Sequence, residues 1–151
     1  MYGTAERLKT IPAVLISVIG AIPGILIWTL VGAFGEVLSI VSVLIPLGIY
    51  GVYSAVGEYI GAAIKSKVGL VGCFLVCPPA VIAGVHCHCA AAVYFALKNT
   101  ENALPFKECL FRMRELLGPA GQETRFLASI AMGMAFFLIS YLKFVKPEKY
   151  S

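Results

Sequence analysis

The sequence predicts an all-α integral membrane bundle of four transmembrane helices, with an interfacial amphipathic helix between the third and the fourth. Two observations carry that prediction. The first is composition: 60% of the 151 residues are hydrophobic and 13% are charged, with a mean hydropathy of +0.90. Soluble domains are about half apolar and about a quarter charged. Twelve basic and eight acidic side chains are too few to cover the surface of a soluble fold of this size. Composition therefore argues against an ordinary soluble enzyme, a disordered chain and a nucleic-acid-binding module. The second observation is where the charges are missing. Four runs without Lys, Arg or Glu cover residues 10–35, 37–57, 68–97 and 126–142. A helix needs about 20 apolar residues to cross the hydrocarbon core. Spanning segments must satisfy their own backbone, as helices or as closed barrels. Barrel strands alternate in polarity over about 10 residues, and these runs do not alternate.

The first span is placed near 11–33. Arg7 and Lys9 followed by an apolar run suggest a signal peptide, and Val31-Gly32-Ala33 resembles a cleavage site. The run is longer than a signal core of about 7–15 residues, so a retained span is expected. Gly20, Pro23 and Gly24 are expected to interrupt it. The second span, near 38–60, carries Pro46 and Gly48 as its break, and Glu36 is expected in the preceding loop. The third span, near 69–96, holds Pro78-Pro79, which are expected to kink it. The fourth is placed near 126–143. The whole chain, 1–151, reads as a single membrane domain.

Residues 98–125 hold nine of the twenty charges. On a helix over 105–117, Phe106, Cys109, Leu110, Met113, Leu116 and Leu117 share one arc. Pro105 suits its first turn and Gly118-Pro119 its stop. Glu108 and Arg112 are expected to pair at i,i+4. Such a helix belongs in the membrane interface, as a cover on the bundle.

Lys and Arg favour the cytoplasmic side of a membrane protein. Four spans with both termini inside place seven basic residues inside and five outside. A re-entrant first segment would regroup them to the same ratio, so charge alone does not separate the two; the length of the first run favours four spans. Small residues recur at four-residue spacing, as in Gly20/Gly24, Gly57/Gly61, Gly84/His88 and Ser129/Gly133. Such faces let helices approach closely. They point to a tight bundle, with a homo-oligomer or a larger membrane complex as its expected partner in the bilayer.

Few residues inside the spans carry chemistry. Glu58 is the one carboxylate near membrane depth, and intramembrane charges mark functional sites. With Pro23 and Pro46 it forms a transport candidate, since broken helices build transporter sites. Its nearness to Lys65 favours an interfacial position, beside Tyr53 and Tyr59. Cys73, Cys77, His86 and His88 are metal-capable residues, of types suited to zinc or copper. Cys73, Cys77 and His88 share one helical face, but the spacing does not preform a site. Five packed cysteines are the plainer reading, and no CxxC motif supports redox chemistry. P-loop, GxSxG and HExxH motifs are absent. No catalytic residue and no cofactor are assigned.

The stretch Gly20-Ala-Ile-Pro-Gly-Ile-Leu-Ile-Trp28, with Gly32, Gly35, Leu47-Gly-Ile-Tyr50 and Lys67-Val-Gly69, resembles small multi-pass membrane proteins of Gram-positive, gut-type bacteria. The likeness covers residues 11–70 and leaves out the His-Cys-His-Cys run. It implies a bacterial cell membrane and this topology, and no activity. The expected function is a structural or assembly-type bundle. A small transporter or channel and a metal or redox protein are the alternatives.

Overall fold

In the computed structural model, residues 3–34, 39–119 and 121–145 are described. Helices take up most of the described residues, and no strand occurs among them. Four helical stretches are long and apolar enough to cross a membrane: Thr4–Ala33, Ile40–Ile60, Lys67–Leu97 and Glu123–Lys143. Glu36, Lys146 and Lys149 lie outside the described residues.

The first stretch comprises α1 (Thr4–Ser17), a 3₁₀ turn over Val18–Gly20, and α2 (Ala21–Ala33). The Glu6 carboxylate accepts the Gly3 N–H at 2.7 Å, which satisfies one of the donors left open at a helix start. The interruption falls just before Pro23 rather than around it. A proline ring crowds the carbonyl four residues back; for Pro23 that is Ile19, inside the 3₁₀ turn. Ser17 adds to the bend by returning its hydroxyl to the Val14 carbonyl at 2.6 Å.

The second stretch begins as a 3₁₀ turn over Ser39–Val43 and continues as α3 (Leu44–Ile60). Pro46 stands third in α3, as Pro23 does in α2, and the carbonyl four residues before it, that of Ser42, likewise lies in a 3₁₀ turn. Pro46 thus occupies the first turn, where its missing N–H would have had no intrahelical partner. The helix ends on Gly61 at φ +66°, with Ala62 N–H donating to the Gly57 carbonyl at 2.8 Å. That left-handed closure is one for which glycine is suited.

The third stretch, α4 (Lys67–Leu97), runs unbroken through Pro78-Pro79. At 1.5 Å per residue its 31 residues extend about 46 Å. Ser66 caps its start, its hydroxyl accepting from Gly69 N–H at 3.2 Å. It touches every other helix and is the axis of the bundle. Its buried residues include Cys73, Cys77, Gly84 and His88, as the shared face in the sequence predicts.

The amphipathic connection is two short helices, α5 (Phe106–Phe111) and α6 (Met113–Leu117), not one. The chain bends at Arg112, whose φ of −104° and ψ of 18° leave the helical region. The expected Glu108–Arg112 pairing gives way to an Arg112 Nε–Glu115 Oε2 pair at 2.9 Å. Cys109, Met113 and Leu117 all reach the core, as their shared arc in the sequence predicts. The fourth stretch is α7 (Glu123–Ser140), ending in a π turn over Tyr141–Val145.

Two sets of contacts fix the path of the chain. At one end, Ala63 N–H donates to the Glu6 carbonyl at 3.2 Å, and the Tyr53 hydroxyl donates to the Ile64 carbonyl at 2.8 Å. This joins the start of α1 to the turn between α3 and α4. At the other end, Arg125 in the first turn of α7 reaches the Gly32 carbonyl at the end of α2. The first segment therefore runs the length of the bundle and is not a re-entrant hairpin.

The core centres on Trp28, which is fully buried. It lies over Gly84 of α4 and Gly133 of α7, whose Cβ atoms, if present, would come within 3.0 and 3.2 Å of its ring. Farther along, α2 and α3 meet backbone to backbone: a Cβ on Gly20 or on Gly48 would run into the other glycine's carbonyl. The small-residue faces read in the sequence are thus consumed inside one chain. Gly20, Gly24, Gly84 and Gly133 serve internal helix contacts.

Candidate functional site

The polar groups of the interior gather where the C-terminal end of α2, the second half of α4 and the first turn of α7 converge. His88 is fully buried. Its Nδ1–H donates to the Trp28 carbonyl at 3.0 Å, which fixes the neutral ring with Nε2 free to accept. Arg125 Nε–H then donates to His88 Nε2 at 3.4 Å. The Arg125 Nη2 group points at the Gly32 carbonyl at 3.5 Å, one of the carbonyls that a helix end leaves open. The His88 ring lies against Trp28 with centroids 5.3 Å apart and planes 31° from parallel. Gly32 is needed here, since its Cβ would stand 2.5 Å from the His88 carbonyl oxygen and 3.0 Å from Nδ1.

His86, two residues earlier and about half a turn round, faces the amphipathic cover. Its Nε2–H donates to the Leu110 carbonyl at 2.7 Å. The bend at Arg112 leaves that carbonyl without a helical partner, so the histidine supplies one. Both histidines therefore act as interhelical ties. His88 joins α4 to α2 and α7; His86 joins α4 to α5.

The metal candidates Cys73, Cys77, His86 and His88 are not brought together. From Cys73 to His86 is 13 residues of uninterrupted helix, about 20 Å. Among the described residues no group of three or more His, Cys, Asp or Glu side chains could hold an ion. The cysteines are free and, apart from half-buried Cys87, buried. Cys73 and Cys77 line a gap of about 10 Å³ against Pro46 and Phe137, roughly the space of one water.

The transport candidates are also apart. Glu58 is exposed in the last turn of α3, beside an open recess of about 440 Å³ that includes Tyr50 and Lys65. Pro46 is buried near the opposite end of that helix, 12 residues or about 18 Å away. Pro23 is exposed on the outer side of α2.

Reasoning from sequence did not single out Arg125 or Gly32. Their signal was present: Arg125 is the last charge before the fourth apolar run, and Gly32 ends the first. A cation at that boundary is positioned to enter the bundle and cap an open carbonyl. Among the described residues, three further buried polar atoms, Trp28 Nε1, Ser42 Oγ and Ser129 Oγ, have no hydrogen-bond partner. They belong to α2, the 3₁₀ turn before α3, and α7, which pack on one another. No family model matches the chain, and comparison with curated proteins and with solved structures finds no match either.

Proposed function

We propose that the chain is a non-catalytic bundle of the cell membrane that works by holding other membrane components against its outer surface. One observation supports this above all. Open apolar recesses lie on the flanks of the bundle, while His86, His88 and Arg125 are committed to holding its helices together. Recesses of about 480 and 460 Å³ lie along α4, and their linings include Leu15, Val71 and Leu75, each more than half exposed. The space between α3, α4 and α7 is about 10 Å³. A solute path would need polar groups facing a cavity through the bundle; the recess beside Glu58 and Lys65 lies at the end of α3, and His86, His88 and Arg125 bond to the backbone and to each other.

Orientation with both termini in the cytoplasm follows from the basic residues. Arg7, Lys9, Lys65, Lys67 and Lys143, with Lys146 and Lys149 of the tail, belong to one side. Lys98, Lys107, Arg112, Arg114 and Arg125 belong to the other, and Arg125 is turned into the bundle. The excess favours the first side as cytoplasmic.

The test has two arms. The full chain in vesicles loaded with proton- and potassium-sensitive dyes is expected to leak no faster than empty vesicles; saturable flux abolished by Glu58→Gln would overturn the proposal. A photo-crosslinking residue at Leu15 or Leu75 in native membrane is expected to give discrete adducts, and an unresolved lipid smear at both positions would count against it.

A further inference from the structure

The two flank recesses follow one another along α4, and read as a single groove their chemistry points to an occupant. The first runs beside α4 from Lys67 to Leu75 against α1, and the second runs from Leu75 to Ala83 against α2. They meet at Leu75, which lines both. Each half covers eight residues of helix, about 12 Å, so the groove is about 24 Å long. One leaflet contributes half of a hydrocarbon core of about 30 Å. The groove therefore begins at headgroup depth and passes the bilayer midplane, the course of one extended acyl chain. Its walls are apolar, and Gly72, Ala21 and Ala80 hollow it.

Only one end is charged, and it is basic. Lys67 lines the mouth itself and is exposed. Arg7, Lys9 and Lys65 belong to the same end, against Glu6 and Glu58; Glu6 is already engaged with Gly3 N–H. Lys9 Nζ lies within 3.9 Å of where a Gly61 Cβ would be, which places that cation beside the α3–α4 turn. The start of α4 adds the positive end of a 31-residue helix at the same level. A second copy of the chain packed in parallel would set these cations against themselves. An anionic headgroup would instead neutralise them, and the cytoplasmic leaflet is the one rich in anionic lipid.

We infer that the α1/α2–α4 groove is a binding site for an anionic phospholipid, with one acyl chain along Leu15, Val71, Leu75 and Pro79 and the phosphate at Lys67. This rests on the reading of the bundle as a holder of membrane components, and names the component.

The experiment uses the full chain in nanodiscs of equal phosphatidylglycerol and phosphatidylcholine, released and read by native mass spectrometry. Retained phosphatidylglycerol is expected to exceed phosphatidylcholine by roughly tenfold, a scale set by one or two basic side chains at an anionic surface. Lys67→Glu is expected to bring the ratio to about one with the helical signal unchanged. Val71→Trp, which fills the groove from an exposed position, is expected to remove retained lipid of both classes. Equal retention by the unaltered protein, a preference unchanged in Lys67→Glu, or a dimer that carries no lipid would each overturn the inference. Dye leakage from vesicles is read separately. A chain that passes no solute but shows no lipid preference fails this inference alone.

Discussion

At the scale of single residues, the constraint that bears on the polar site is Gly32. The backbone of α4 stands where its side chain would be, since a Cβ would lie 2.5 Å from the His88 carbonyl oxygen. Backbone cannot swing aside as a flexible side chain can. Gly32→Ala must therefore separate α2 from α4 and weaken the His88–Trp28 hydrogen bond. We expect a loss of about 2 kcal/mol, within the range for overpacking a close contact, read as a lower thermal midpoint in detergent. Gly51 is the control. It is helical and exposed, and a Cβ there meets nothing within 4 Å, so Gly51→Ala should gain about 0.5–1 kcal/mol from helix propensity. Equal midpoints for the two variants would refute the steric argument.

Cys109 gives a pH prediction at the same scale. It lies outside the spans and is fully buried, and that burial raises its thiol above the ordinary 9.0. The folded chain thus favours the protonated thiol more than the unfolded chain does. Stability from this preference is complete below the unfolded value and is lost as pH rises through the folded one. The gap in unfolding midpoint between the native protein and Cys109→Ala should shrink from pH 8 to pH 10.5. A gap that widens over that interval would contradict the burial of the thiol.

At the scale of elements, the amphipathic connection shows how far the sequence could be read. The charge-free runs mark three of the four spanning stretches to within a few residues, because lipid penalises every exception and leaves a long signal; the first stretch starts earlier, at Thr4, with its charged first turns included. The interruptions are less legible. Pro23 and Pro46 each stand third in an α-helix that follows a 3₁₀ turn, so each irregularity falls just before the proline rather than at it. Pro78-Pro79 pass through α4 without a break, since α2, α3 and α7 pack along the inner side of that helix. The bend at Arg112 has no proline or glycine to announce it; tertiary contacts decide it, through Cys109, Met113 and Leu117 reaching the core and through His86 taking the Leu110 carbonyl. The site was half legible for the same reason. The burial of His88 follows from helical spacing with Cys73 and Cys77, whereas its partners Trp28, Gly32 and Arg125 come from distant segments and leave no local pattern.

The His86–Leu110 bond also carries a prediction. His86→Leu keeps an apolar body and removes the donor, leaving the last turn of α5 with an open carbonyl. A net hydrogen bond contributes about 1 kcal/mol, so opening of the cover should rise about fivefold. Hydrogen exchange over 106–117 should quicken by that factor while exchange over 21–33 stays unchanged. Uniform quickening across the chain would mean that His86 supports the whole bundle rather than the cover.

At the scale of the whole molecule, the two latched ends dictate topology. The Glu6–Ala63 bond joins the start of α1 to the α3–α4 turn, and the Gly32–Arg125 contact joins the end of α2 to the start of α7. Two elements so joined must lie on one side, and the long helices between them carry the chain across. Glu58, exposed at the α3 end, therefore belongs with the N-terminus, and Asn102, exposed after α4, belongs with the amphipathic cover. Single cysteines at these positions test this directly. Four of the five native thiols are buried and Cys87 is half-buried on a spanning helix, so a membrane-impermeant maleimide should report chiefly on the introduced ones. Asn102→Cys is expected to label on intact cells, and Glu58→Cys only after the membrane is opened, in keeping with the basic excess on the Glu58 side. The reverse pattern would invert the orientation and leave the fold standing. Labelling of both from the same side would break the four-span architecture itself, because no arrangement of α4 as a single crossing places its two ends together.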